Sequence, residues 1–456
     1  MTSADKLVPK LREIVGEPNI IREANRLKTY ALDAKVPKVA VLPGSREEIS
    51  EVVAWANQEK LSILPRGNGT KMGMGAIPRN VDVVLLMSRM NRIIDKDCDN
   101  LTLSAEAGMT LGEVQKILAN QGKGYFLPLD PPYTEKATLG GIVATNGSGP
   151  RRFANGTARD LIIGLKAVFP NGDLVSTGGK TVKNVSGYDL GKLLIGSMGT
   201  LGILCEMTFR LLPLPEKEAT LLVYFETLGA AQHFVHDVIH SQLVPVSVEV
   251  LSAAAFRKVK YPLSGPASAK YLVAIGLEGV TETIDRQVKE MGEMGKKRGC
   301  LESSVLSAKQ NQSFWIGLRD MSLGLSGEYP NLITLKSNFV ISKWAEVLGS
   351  YEKIGQELGV ECAFSGHAGN GVLHSHLLVG KDFPSKAKAL LDLIGKMTAE
   401  AVKNEGNLVV ESAPVLIKEK VNVWGQTRND CRVVRRLKEE IDPMGVLNPG
   451  RFVGGV

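Results

Sequence analysis

Residues 130–160 read DPPYTEKATLGGIVATNGSGPRRFANGTARD, and the organisation of the chain turns on this stretch. From residue 124 to 160 the chain carries Pro, Gly, Thr and Asn where a hydrophobic period would stand, so it predicts little regular structure. A segment of that length without helix or strand is either a binding segment or disordered. Its interspersed apolar residues argue against disorder. Thr138, Gly140, Gly141, Ala144, Thr145, Asn146 and Gly147 through Gly149 place small side chains, hydroxyls and open amides within 12 residues. A large planar cofactor with a pyrophosphate needs such a surface, with backbone close to a ring edge and donors for oxygens.

Two other glycine-rich loops lie on either side. LPRGNGTK (64–71) directly follows a predicted buried strand, Leu61 to Leu64, so its amides can converge as a nest for phosphate oxygens, with Arg66 or Lys71 adding charge. It lacks the third glycine and following helix of a GxGxxG turn, and the GK[ST] of a P-loop. Taken alone it also reads as a glycine-rich hairpin. GSMGTLGI (196–203) is a glycine turn entering a strand. Each of these is an ordinary loop by itself; three around one predicted core point to one ligand.

Working outward, 46–60 has a helical period with Ser45 as N-cap, and 81–87 and 101–106 read as strands. Thr110 to Asn120 returns to helix. A hairpin is predicted from Leu161–Phe169 and Leu174–Thr177 around Asn171-Gly172-Asp173. The strand 201–212 ends at Pro213 and Pro215, which places a domain boundary there. Residues 219–365 alternate strands with helices such as 228–241 and 280–298, which predicts a βαβ-type domain; helices 384–404 and 430–441 follow.

At 456 residues the chain predicts two or three domains. Net charge is +7, but the basic runs Lys296–Arg298 and Arg432 with Arg435–Arg436 are short and helical, without interleaved aromatics, so they read as solvated faces and not as a nucleic-acid surface. Five scattered cysteines with no CxxC exclude a disulfide framework or an internal iron–sulfur cluster, and predict a reducing, cytoplasmic setting. No signal-peptide stretch opens the chain, and no run of about 18 apolar residues predicts a membrane span.

PRGNGTK, ATLGGIVATNGSGPRR…GTARDLI, GGKTVKNVSGYDLGKLLIGSMGTLGI and the terminal DPMGVLNPGRF together resemble flavoproteins of the vanillyl-alcohol-oxidase type. Within that group the chain is similar to glycolate oxidase FAD-binding subunits and to D-lactate and D-2-hydroxyacid dehydrogenases. The resemblance is strongest from about 40 to 215. It implies an α+β fold: a two-subdomain FAD-binding domain (1–215), an α/β cap or substrate domain (216–405), and a segment (406–456) returning to the FAD domain. It implies that Pro65, Arg66, Gly67, Asn68, Gly69 and Thr70 hold FAD together with Asp130, Thr138, Gly140, Gly141, Ala144, Thr145 and Gly149. Gly199, Gly202 and Ile203 would line the adenine end, and Asn448 joins from the last motif. All six histidines lie beyond residue 230, so FAD is expected to be non-covalent.

In GHAGNGVLHSH (366–376), His374 and His376 face one side of a strand, a geometry that can place imidazoles on a divalent metal. The resemblance implies His367, His374 and Glu411 as ligands of Zn, Mn or Fe. Relatives follow that glutamate with a histidine suited to be the base; here Ser412 stands there. His376, which stands where relatives often carry asparagine, could substitute and remove a hydroxyl proton, a task suited to a neutral ring near pH 7. Otherwise the chain is a non-catalytic FAD-binding subunit, or the histidines are structural. Arg319 and Lys336 match cations that bind a substrate carboxylate, an arginine fork suiting it bidentately. His233, His236 and His240 share a helix face without an HExxH glutamate and read as packing or surface. The implied reaction is oxidation of glycolate or D-lactate, with electrons passed to an iron–sulfur subunit, in a multi-subunit complex that includes a sister flavoprotein and is membrane-associated only through partners.

Overall fold

Side-chain N-caps open two early helices, and the one at Ser45 is the cap anticipated from sequence. The Ser45 hydroxyl accepts from the Glu48 amide at 3.1 Å and opens Arg46–Gln58, whose Ile49, Val52, Val53 and Ala56 are buried. Thr110 and Glu113 form a reciprocal capping box that opens Leu111–Ala119. The computed structural model describes residues 6–122, 124–179, 188–259, 263 and 265–456; the part of the GGKTVKNVSGYD motif at 180–187 lies outside them.

The chain forms two units. The first runs to Ser148 and adds Gly156–Leu214 and Thr427–Val456; the second comprises Gly149–Asn155 and Pro215–Gln426. The first unit holds two main sheets. One is four-stranded, ordered Ile20–Ile21, Val39–Val41, Val83–Leu86, Ile63–Arg66, with the last three strands parallel. The other is five-stranded and antiparallel, ordered Ile93–Asp97, Thr102–Glu106, Ile203–Arg210, Ile162–Val168, Leu174–Gly178. One apolar core runs under both, joining Val52, Val83 and Ile63 to Leu103, Val168 and Ile203.

The second unit differs from the βαβ expectation. Its eight strands are all antiparallel, ordered Glu302–Val305, Lys217–Phe225, Tyr271–Gly279, Ser247–Ser252, Cys362–His367, Val372–Leu377, Ile333–Asn338, Asn407–Ser412. Strand and helix alternate in sequence, but the connections reverse direction; periodicity reports burial and not strand sense. Because Asn407–Ser412 pairs with Ile333–Asn338, residues 406–426 stay with this unit, and the return expected at 406 comes only at 427.

A second correction concerns 124–160. Leu139–Thr145 is a helix, capped by Thr138 and closed by Asn146 in the left-handed region at φ 46°. Its two glycines and a length of under two turns hid the period.

Candidate active site

In the first unit, a cleft is lined by Pro65, Arg66, Gly67, Gly69, Thr70, Lys71, Met72, Thr138, Gly141, Ala144, Thr145, Met198, Asn448 and Arg451. The strand Ile63–Arg66 delivers the first loop, and Gly69 takes φ +77° there, a conformation that favours glycine. Opposite stands the start of the helix Leu139–Thr145, where the Thr138 hydroxyl accepts from the Gly141 amide at 3.3 Å. A Cβ on Gly67 would run into the Thr138 side chain, and one on Gly141 would lie 3.2 Å from its hydroxyl. Backbone is thus bare on both walls. Burial lowers the Arg66 guanidinium's affinity for its proton.

The C-terminal motif closes the cleft. The Asn448 side-chain amide donates to the Met198 carbonyl at 2.7 Å, while its Oδ1 is buried with no hydrogen-bond partner. A buried orphan acceptor on a cleft wall is costly unless a ligand donor meets it. Arg451, only 1% exposed, donates to the carbonyls of Met72 at 3.1 Å and Met74 at 2.5 Å, tying the first loop to the chain end. Burial pushes its guanidinium down to about 10, with Asp33 acting the other way. Bare amides, the cations Arg66, Lys71 and Arg451, and an unmet acceptor fit a pyrophosphate-bearing flavin.

The remaining expected cofactor residues lie off this lining. The Asn68 side chain donates to the Lys136 carbonyl at 2.9 Å. Asp130 is buried. Gly140 sits against Ala107, where a Cβ would fall 2.9 Å from its methyl, and Gly199 sits against Pro65 at 3.0 Å. Gly202 packs near Leu194 and Phe169, Ile203 begins the core strand, and Gly149 belongs to the second unit. Met72, Met198 and Arg451 were missed; only the arginine carried a signal, following Asn448-Pro449-Gly450.

In the second unit, polar side chains cross one face of five adjacent strands. Directly paired residues of antiparallel strands point the same way. The pairings Glu249↔His367, His367↔Val372, Lys336↔His374 and Thr334↔His376 therefore bring Glu249, His367, His374, His376, Lys336 and Thr334 together on that face. Glu411 joins at the irregularity between Thr334↔Ser412 and Leu335↔Val410. His367 Nδ1 lies 2.7 Å from Glu249 Oε1. The rings of His367 and His374 meet edge to face at 5.5 Å and 79°. His374 Nδ1 is 3.7 Å from Glu411 Oε2, and Lys336 Nζ is 4.0 Å from Glu411 Oε1.

Burial sets the charges here. It pushes His367 down to about 3, with Arg152 and Lys336 adding to the effect, and His376 down to about 4. His374 is likewise held well below the usual imidazole range and Glu249 well above the usual carboxyl range. All three imidazoles are neutral at pH 7. His376 Nδ1 and Thr334 Oγ1 are buried without a hydrogen-bond partner. Arg319 ends the helix Ala308–Arg319, which packs through Phe314 and Leu318 against Leu251 and Ala363 of the same sheet; its Nε is also buried without a partner.

His367, His374 and Glu411 share the face, but among the described residues no three His, Cys, Asp or Glu converge on a point that holds a metal ion. Lys336 Nζ, 4.0 Å from Glu411 Oε1, holds a positive charge beside the one carboxylate of the expected set. As arranged, His367, His374 and Glu411 do not form a ligand set. Glu249 was missed; its signal was a lone carboxylate within the apolar strand VSVEVLS. His236 and His240 stack at 4.1 Å on an exposed helix face.

The FAD binding domain family matches residues 37–178, and the C-terminal domain of FAD linked oxidases matches residues 214–452. The chain is 30% identical to the glycolate oxidase subunit GlcD of Bacillus subtilis over 94% of its own length and 92% of the relative's. It is 29% identical to a D-lactate dehydrogenase of Archaeoglobus fulgidus over 91% of each. Among solved structures, 4-ethylphenol oxidase from Gulosibacter chungangensis superposes with TM-score 0.79 at 16% identity, covering 99% of this chain and 97% of that one. A substrate-bound p-cresol methylhydroxylase gives 0.77 at 18%, covering 99% and 97%. The likeness in sequence, the family matches and the fold agree: the chain belongs to the FAD-linked oxidases and is an FAD-dependent oxidoreductase with a vanillyl-alcohol-oxidase-type fold.

Proposed function

We propose that the chain oxidises a small 2-hydroxy acid, glycolate or D-lactate, to the 2-oxo acid. The observation that carries the reading is the sheet face on which neutral buried imidazoles stand with Lys336. The relatives named for glycolate and D-lactate oxidation support it. In this reading the first unit takes FAD, without a covalent bond, and the second takes the substrate. Arg319 and Lys336 hold the carboxylate. His376, neutral at pH 7 and with Nδ1 unpartnered, takes the hydroxyl proton. FAD, when bound, supplies the two-electron acceptor for the hydride leaving the carbon. Electrons then pass to a separate iron–sulfur subunit.

Anaerobic mixing of the FAD-loaded chain with D-lactate or glycolate tests this. Bleaching of the flavin, slowed at least about tenfold by His376→Asn, is expected. A spectrum that stays yellow with both acids favours the second reading, a non-catalytic FAD-binding subunit of an oxidase complex. Ser412, exposed at the end of its strand where relatives carry histidine, is what favours that reading.

A further inference from the structure

We propose that Glu249 is the positioning residue of the histidine row: by bonding Nδ1 of His367 it fixes that ring in one tautomer and one orientation, leaving Nε2 as the ring atom the site can use. Glu249 is 2% exposed and stands in the middle of Ser247–Ser252, with buried Val248 and Val250 on either side. A carboxyl group at such a place costs free energy unless a specific partner repays the desolvation. A ring nitrogen of His367 meets it at 2.7 Å, on the strand that pairs with its own.

The consequence extends past His367. The edge-to-face contact at 5.5 Å means that a rotated His367 would displace His374, which reaches Glu411 at 3.7 Å. One carboxyl at the first strand of the row thus sets ring orientation two strands away. Where a carboxyl partner sets an imidazole's tautomer and orientation, losing it costs up to about 10⁴-fold in rate. Arg152 is the other charged group acting on both Glu249 and His367. The kinetic part of the test rests on the hydroxy-acid reading; the positioning itself does not.

The test is nitrogen-15 NMR of the FAD-loaded chain labelled at histidine, with the His367 signal among six assigned by His367→Asn. A single tautomer is expected for wild type and for Glu249→Gln, which keeps a hydrogen-bonding partner. Glu249→Leu should show averaged ring nitrogens and reduce flavin at least about tenfold more slowly with KM little changed. A tautomer-averaged His367 in wild type overturns the proposal. So does a Leu variant that keeps both the single tautomer and the rate. Should the Leu variant not fold, the wild-type spectrum alone decides. Should no hydroxy acid reduce the flavin, the tautomer measurement still stands, so the two failures are distinguishable.

Discussion

Thr138 occupies the space beside Gly67: a methyl on residue 67 would overlap the threonine hydroxyl and crowd its methyl. Gly67→Ala is therefore expected to weaken FAD binding at least about tenfold, ~1.4 kcal/mol, because loop or helix start must move. Thr138→Ala opens that space, so the double variant should bind FAD better than Gly67→Ala alone. Fluorescence titration of the apoprotein measures both; equal affinities for wild type and Gly67→Ala would refute the crowding argument.

Arg319 and Lys336 are read as carboxylate anchors, so their loss should appear in substrate binding and not in flavin content. Arg319→Lys and Lys336→Met are each expected to raise the KM for the hydroxy acid about tenfold or more. Steady-state kinetics with bound FAD quantified by absorbance checks this. Unchanged KM in both variants would remove these residues from the site.

Lys438 is buried in the first unit and donates to the Thr200 carbonyl at 2.7 Å, to Asp442 at 2.5 Å and to the Leu447 carbonyl at 2.9 Å. Asp442 in turn accepts from the amides of Val446 and Leu447 at 2.9 and 2.8 Å. Lys438→Met leaves a carboxylate buried without its cation, a change worth about 3–5 kcal/mol. Chemical denaturation should register that loss, with a smaller one for the Lys438→Met/Asp442→Asn pair.

Asp82 accepts from the Ser62 amide and hydroxyl, both at 2.8 Å, and pairs with Lys38 at 2.7 Å. Burial pushes its carboxyl up, but Lys38 and Ser62 outweigh burial and the net shift is downward. A folded-state value below the unfolded one gives stability that is present above the ordinary carboxylate range, about 3.9, and is lost as pH falls through the folded value. Asp82→Asn should therefore lower the urea midpoint at neutral pH and flatten the acid limb of a pH series. A parallel acid limb in the variant would contradict the sign.

What could be read without coordinates followed the range of the forces involved. Ser45 announced its helix because capping is local, and the hairpin around Asn171-Gly172-Asp173 was legible for the same reason. The antiparallel sense of the second unit's sheet was not, since alternation of apolar residues is identical in either direction. Gly67 and Gly141 line the cleft, and Gly140 and Gly199 pack against Ala107 and Pro65. A glycine's bareness is visible in sequence; what approaches it is not. Glu249 shows the same limit, because its partner lies 118 residues away.

The first unit draws its last piece from Thr427–Val456, and Asn448, Arg451 and Lys438 within that piece hold together loops laid down hundreds of residues earlier. During synthesis those loops must wait until the ribosome has passed residue 451 before their keystone arrives. A chain stopped short of residue 427 would leave the flavin cradle without one wall, so loading of the cofactor must follow synthesis of that piece.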